Sequence, residues 1–209
     1  GGEEVIKISV TGIAQTIDKV ERLKEQVKTK AMVSAINKTA TQTKNLATRL
    51  IRKSYLVKSE DLKDKIVIQK ASKNRLTAMV ISKKRGGGIQ LTKYSARMTR
   101  KGLSVKVKRS GGRSVIPGAC IGKDTAFIRT GEKTHAPKQG YWAGKTIKRG
   151  ERKGQPILRQ KLKKLYGPTI ADLMGSKEIE TQLIRFANTK VVEIFMNEIR
   201  FYMKREFNQ

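Results

Sequence analysis

The stretch KKRGGGIQLTKYSARMTRKGLSVKVKRSGGR, residues 83–113, carries eleven Lys or Arg and no Asp or Glu. Within it Leu103, Val105 and Val107 alternate with Ser104, Lys106 and Lys108. That period of two predicts a strand with one apolar face and one cationic face. Ile89, Leu91 and Tyr94 predict an earlier strand. Residues 95–101 have no clear period and predict a loop, disordered when unbound. Like charges at this density oppose compaction. The stretch therefore either faces something anionic or is an arm awaiting a partner.

On both sides of this strand-and-loop region the period changes. Val5-Ile6-Lys7-Ile8-Ser9-Val10 alternates and reads as a short strand. From Ile13 through Ile17, Val20, Leu23 and Val27, then Ala31, Ala35, Ile36, Ala40, Ala47, Leu50 and Ile51, apolar residues step by three or four. This predicts either one helix over residues 13–53 or two helices meeting at a kink near Lys28-Thr29-Lys30. Its Ala- and Thr-rich second half suits close packing on another backbone or subunit. Ser59 is placed to cap a short helix ending near Lys65. Ile66-Val67-Ile68 and residues 76–81 read as a hairpin around Ser72-Lys73-Asn74-Arg75.

Beyond the basic stretch, Pro117-Gly118 forces a turn between apolar pieces. Ala126-Phe127-Ile128-Arg129 reads as a strand ended by a turn at Thr130-Gly131, and residues 132–154 as an exposed loop. Tyr166-Gly167-Pro168 is a stop signal. Thr169 is placed to cap a short helix, and Ser176 a long one over residues 177–207. Ile179, Leu183, Phe186, Val191, Phe195, Ile199 and Tyr202 lie on one stripe of that last helix, covering a core or an oligomer contact. At ~1.5 Å per residue it is roughly 45 Å long, too long for a small sheet to cover alone. The expected fold is α+β: long N- and C-terminal helices flanking a small, mostly antiparallel β-sheet with long basic loops. A single domain is expected over residues 1–209, with an N-terminal strand and helices in 1–65, the basic β and loop region in 66–168 and the last helix in 169–209.

The net charge is +30, from 47 basic and 17 acidic residues. Residues 61–168 carry +24 of it and residues 169–209 are neutral, so the charge is local. Polyanions are the expected partners. The candidate phosphate- or acidic-partner-binding residues are Lys83, Lys84, Arg85, Lys93, Arg97, Arg100, Lys101, Lys106, Lys108, Arg109 and Arg113. Tyr94 is the only aromatic among residues 83–113, which argues against base stacking. No helix-turn-helix, zinc-finger or RNA-recognition pattern is visible. A nucleic-acid contact would therefore be to the phosphate backbone of duplex DNA; an acidic protein surface is the alternative.

Chemistry has little to stand on. Between Lys65 and Lys177 the only carboxylates are Asp124, Glu132, Glu151 and Asp172, scattered and without metal-ligand spacing. His135, the sole histidine, sits in a Gly/Lys-rich stretch, and Cys120, the sole cysteine, has no evident base. Gly86-Gly87-Gly88 lacks the Lys-Ser/Thr of a phosphate-binding loop. No enzyme, cofactor or metal is expected. A single cysteine allows no internal disulfide and fits a reducing compartment. No leader is visible, nor any apolar run near the ~20 residues that span a bilayer.

Several pieces resemble, in order, the phage minor tail protein Z family. Ser34-Ala35-Ile36-Asn37-Lys38-Thr39-Ala40 is similar to its helical Ala-Ile-Asn-Arg element. Ile116-Pro117-Gly118-Ala119, Ala126-Phe127-Ile128-Arg129, Gln155-Pro156-Ile157 and Leu165-Tyr166-Gly167-Pro168-Thr169-Ile170 follow, after the basic stretch. The resemblance covers roughly residues 12–175. Cys120 stands where an aromatic is expected, and Gln155 where Arg or another large residue precedes Pro-Ile. The resemblance implies a virion structural protein, assembled in the host cytoplasm, that completes the tail at its head-proximal end and helps join it to the head near the DNA path. It also implies a homo-oligomeric ring, six copies being the natural number, and neighbours such as a tail terminator or a head-side connector. The alternative class is a sequence-independent nucleic-acid-binding protein acting through its basic surface.

Overall fold

The computed structural model describes residues 5–9, 25–82, 88–135 and 144–207. The chain divides into two compact units, Gly1–Ile89 with Pro168–Gln209, and Gln90–Gly167. The architecture is α+β, with long helices in the first unit and small antiparallel sheets in both.

The first unit holds β1 (Val5–Ser9), α1 (Glu25–Ser54), α2 (Ser59–Lys63), β2 (Ile66–Gln69), β3 (Thr77–Ser82), α3 (Ile170–Met174) and α4 (Lys177–Phe207). α1 passes through Lys28-Thr29-Lys30 without a break; the part of the predicted helix over residues 13–24 lies outside the described residues. Its buried stripe runs Val27, Ala31, Ala35, Ile36, Ala40, Ala47 and Ile51. The small residues let α4 pack along it. Thr39 and Thr43, both buried in this seam, donate their hydroxyls to the carbonyls of Ala35 and Thr39 at 2.8 and 2.9 Å. Neither of these two buried hydroxyls is therefore left unpaired. From α4, Ile179, Leu183, Val191, Phe195 and Ile199 are buried, each contributing about 1.5–3 kcal/mol of transfer free energy.

The sheet order is β1-β3-β2, all antiparallel, and β3 buries every second residue, Ala78, Val80 and Ser82. β2 and β3 form the expected hairpin, closed where Ser72 and Arg75 exchange backbone hydrogen bonds at 2.9 and 3.1 Å. Ser59 does not cap α2: the N-cap is Lys58, with no side-chain hydrogen bond. Thr169 does cap α3. Its hydroxyl accepts from the Asp172 amide at 3.1 Å, while Asp172 accepts from the Thr169 amide at 2.7 Å, a reciprocal capping box.

The second unit holds β4 (Ser95–Thr99), β5 (Gly102–Lys106), β6 (Ser114–Ile116), β7 (Ala119–Gly122), β8 (Thr125–His135) and β9 (Arg159–Lys164), arranged as two three-stranded sheets, β4-β5-β6 and β7-β8-β9. Pro117-Gly118 carries the chain from the first sheet to the second, with Gly118 at φ 71°. Lys123 and Asp124 both have positive φ, which gives the two-residue β7–β8 hairpin its required twist. The Thr92 hydroxyl donates to the Asp124 carbonyl and holds that turn.

Four expectations fail here. Ile89, Leu91 and Tyr94 form no strand; Leu91–Lys93 is a 3-10 turn. Residues 95–101, read as a loop, contain β4 and the turn after it. Thr130-Gly131 does not end its strand: β8 continues through Gly131 (φ 83°) with a register shift between Arg129 and Lys133. A glycine with positive φ serves a bulge as well as a turn. Residues 132–135, placed in the long loop, are strand, and β9 was not anticipated.

Candidate functional site

The β4–β5 register pairs Ser95 with Lys106 and Arg97 with Ser104, and the β5–β6 register pairs Ser104 with Val115. Directly paired residues share a face. Arg97 and Lys106 therefore stand on one side of this sheet, around Ser104, while Leu103 and Val105 are buried on the other. The alternation expected of β5 is present, but the cationic face is not an open row. Ser104 is buried beneath Arg113. The Arg113 guanidinium donates to the Ser104 hydroxyl (3.0 Å) and carbonyl (3.0 Å) and to the Ser95 hydroxyl (3.1 Å) and carbonyl (2.6 Å). Four of its five N–H donors thus hold β4 to β5. Arg113 lends the face its charge, not its donors.

The remaining candidates separate. Arg100 and Lys101 form the exposed turn at the Thr99–Gly102 end of the β4–β5 ladder. Lys108 and Arg109 are exposed beyond the opposite end. Lys93 is exposed in the 3-10 turn. Lys83, Lys84 and Arg85 lie outside the described residues. The second unit has 21 Lys or Arg against three Asp or Glu, a net charge of +18. Among the described residues, the ion pairs Lys28–Glu25, Lys38–Glu198 and Lys190–Glu193 all fall in the first unit. None involves Arg97, Arg100, Lys101 or Lys106. An anion approaching these side chains displaces water and counterions, not a protein carboxylate.

The α4 stripe has an intramolecular use. Ile179, Leu183, Val191, Phe195 and Ile199 are buried, and Phe186 and Tyr202 half-buried, on a helix that packs against α1. Tyr202 meets Phe201 edge to face at 5.4 Å. Glu198 interrupts the stripe and is buried, with Lys38 Nζ 2.6 Å from its Oε1. Burial pushes this carboxyl up, but the hydrogen bonds from Lys38 and Ser34 and the ammonium charge outweigh it and hold the pKa below its ordinary value. Asp172 is likewise held low by its hydrogen bonds from the Thr169 hydroxyl and amide. Both carboxylates serve the fold.

Among the described residues, no three His, Cys, Asp or Glu side chains gather where a metal could bind. His135 ends β8, opposite Arg159, and Cys120 is exposed in β7. No helix among the described residues is long and apolar enough to cross a membrane.

One surface escaped the sequence. In β7–β8–β9, Cys120 pairs with Phe127, Phe127 with Lys164, and Arg129 with Leu162. These five residues share a face, and all are exposed or half-exposed, Leu162 at 53%. Beside it an open cleft of about 500 Å³ is lined by Met98, Arg100, Lys101, Pro117, Cys120 and Arg129, among others. β9, RQKLKK, has no alternation to flag it: Lys161, Leu162, Lys163 and Lys164 are all exposed.

The motifs behind the family resemblance are parts of the framework. Asn37 is half-buried on α1; its amide donates to the Ala71 carbonyl (3.1 Å) and accepts from the Ala71 N–H (2.8 Å), tying the helix to the β2–β3 connection. Ile116-Pro117-Gly118-Ala119 is the step between sheets. Gly167 lies so close to the Tyr94 ring that any side chain there would meet it. Thr169 opens α3. Compared with known families, residues 10–209 match the model described as prophage minor tail protein Z (GPZ). No curated protein and no solved structure matches the chain.

Proposed function

The chain belongs to the prophage minor tail protein Z family, and we propose that it completes the head-proximal end of the tail and helps connect it to the head. As a phage tail structural protein it resides in the virion and contacts other phage structural proteins. In the proposed arrangement several copies, six by tail symmetry, close into a ring. The cationic face of β4–β5–β6 then lies toward the DNA path or toward an acidic neighbour, such as the tail terminator or a head-side connector. The observation that supports this reading is the set of Arg97, Lys106 and Arg113 on one sheet face without a carboxylate partner among the described residues. Such a face suits sequence-independent phosphate contact.

A second reading is favoured by the +18 charge of the second unit: a nucleic-acid-binding protein that works outside the tail. Titration of duplex DNA against the purified chain at several salt concentrations separates the two. The second reading expects tight binding by the isolated chain, with log K falling by about 0.9 per phosphate contacted for each decade of salt. The tail reading expects weak binding to free duplex and incorporation into tails. Purified tails that lack the chain, with the chain present in nucleoprotein fractions, would refute the tail reading.

A further inference from the structure

We propose that the uncovered face of β7–β8–β9 docks an acidic, strand-like segment of a different tail protein. This rests on the tail role above and names the chemistry of one partner. The face has an apolar centre: the Phe127 ring lies over Gly122, 3.6 Å from where a side chain there would begin, with Cys120 beside it and Leu162 on the next strand. Among the described residues, five of the seven exposed large apolar ones, Met98, Val115, Ile121, Leu162 and Tyr166, fall in this most cationic unit. Leu162, Phe127 and Cys120 are contiguous on this face through the strand register, and it is a contiguous apolar patch, not a lone surface Leu, that marks an interaction site.

Charge chooses the occupant. Arg129 stands opposite Leu162, and Lys164 opposite Phe127, so apolar and cationic groups alternate across the strands. Neither cation has an ion pair among the described residues. The adjoining cleft adds Arg100 and Lys101. A second copy would bring one +18 unit against another. Duplex DNA would satisfy the cations and leave Leu162 and Phe127 against phosphate. A segment alternating Asp or Glu with aliphatic residues satisfies both sets, because a strand presents every second side chain to one face.

Two measurements on the full chain test this. In the first, a short synthetic peptide alternating Glu and Leu is titrated by fluorescence anisotropy, with its Gln-for-Glu counterpart and a short DNA duplex as competitors. The expected result is that neither competitor displaces it well. Leu162→Ser and Arg129→Ser should each weaken it about tenfold, the loss of one buried Leu or one charge pair. Lys163→Ser, on the opposite face across from Ile128, should not. Equal effects of Leu162→Ser and Lys163→Ser, or displacement by the duplex, would reduce the face to a generic polyanion surface and overturn the proposal.

In the second, tails are assembled with benzoyl-phenylalanine in place of Leu162, irradiated and analysed by mass spectrometry. Crosslinks to an acidic, alternating segment of another tail protein support the proposal. Crosslinks to another copy, to DNA or to nothing overturn it, while the chain's presence in those tails leaves the tail role standing. Absence of the wild-type chain from tails refutes the tail role, and the peptide titration still decides the docking face.

Discussion

Asn37→Ala tests the framework at the point where a family motif makes a specific contact. The side chain makes two hydrogen bonds to the backbone of one residue, Ala71, which is buried. Each bond is worth about 1 kcal/mol net, and a buried group left unpaired costs about 1–3 kcal/mol. Asn37 lies inside α1, where Ala is the better helix former by about 0.5–0.7 kcal/mol. The substitution should therefore destabilise the first unit by about 1.5–2.5 kcal/mol. At about 2–4 °C per kcal/mol for a chain of this length, Tm falls by about 3–10 °C. Thermal melting followed at the helical circular-dichroism band reports this, since α1 and α4 both belong to that unit. Asn37→Asp should be worse, because a carboxylate oxygen replaces the donor facing the Ala71 carbonyl. Hydrogen exchange at the Ala71 amide should accelerate in both variants. A Tm unchanged within about 1 °C, a shift well below the smallest the hydrogen-bond loss allows, together with unaltered exchange, would refute the clamp.

Other outcomes follow from the same packing. Gly167→Ala should destabilise the second unit by about 1–3 kcal/mol, because its Cβ would fall on the Tyr94 ring; in a double-mutant cycle the cost of Gly167→Ala should be smaller in the Tyr94→Ala background than in the wild type, as read by denaturant titration. Arg113→Gln should loosen the β4–β5 sheet, seen as faster amide exchange at Ser104, whereas Arg97→Gln should leave it unchanged. Glu198 has a folded-state pKa below its unfolded one, so its contribution is fully present above the unfolded glutamate value of about 4.3 and is lost as pH falls through the folded value. Glu198→Gln should flatten the acid limb of the stability–pH curve in that window and leave its slope near neutral pH unchanged. Phe195→Asp places an unpaired charge in the α1–α4 seam and should yield no soluble folded chain, as read by expression and gel filtration.

What was legible in the sequence tracks burial. α4 is legible because Ile179, Leu183, Val191, Phe195 and Ile199 keep one face covered over residues 179–199. β3 was found for the same reason, its alternate residues being buried. β4 was missed because it is an edge strand whose Arg97 and Met98 are both exposed, so its two faces do not differ in polarity. β9 was missed likewise: Lys161, Leu162, Lys163 and Lys164 are all exposed. The cationic set was recognised by composition, but composition does not tell a spent guanidinium from an available one. Arg113 looks like Arg97 in the sequence and differs in having four backbone and hydroxyl acceptors within reach. The Phe127–Leu162 face is not legible in the sequence because the residues paired across β8 and β9, Phe127 with Lys164 and Arg129 with Leu162, are far apart in the chain and joined only by register.

The most direct measurement is electron microscopy of purified tails with this chain located in the density. The chain is expected at the head-proximal end, as a closed ring with the Arg97 and Lys106 face toward the DNA path or an acidic neighbour. Its absence from tails, or its location at the distal end, would contradict the account.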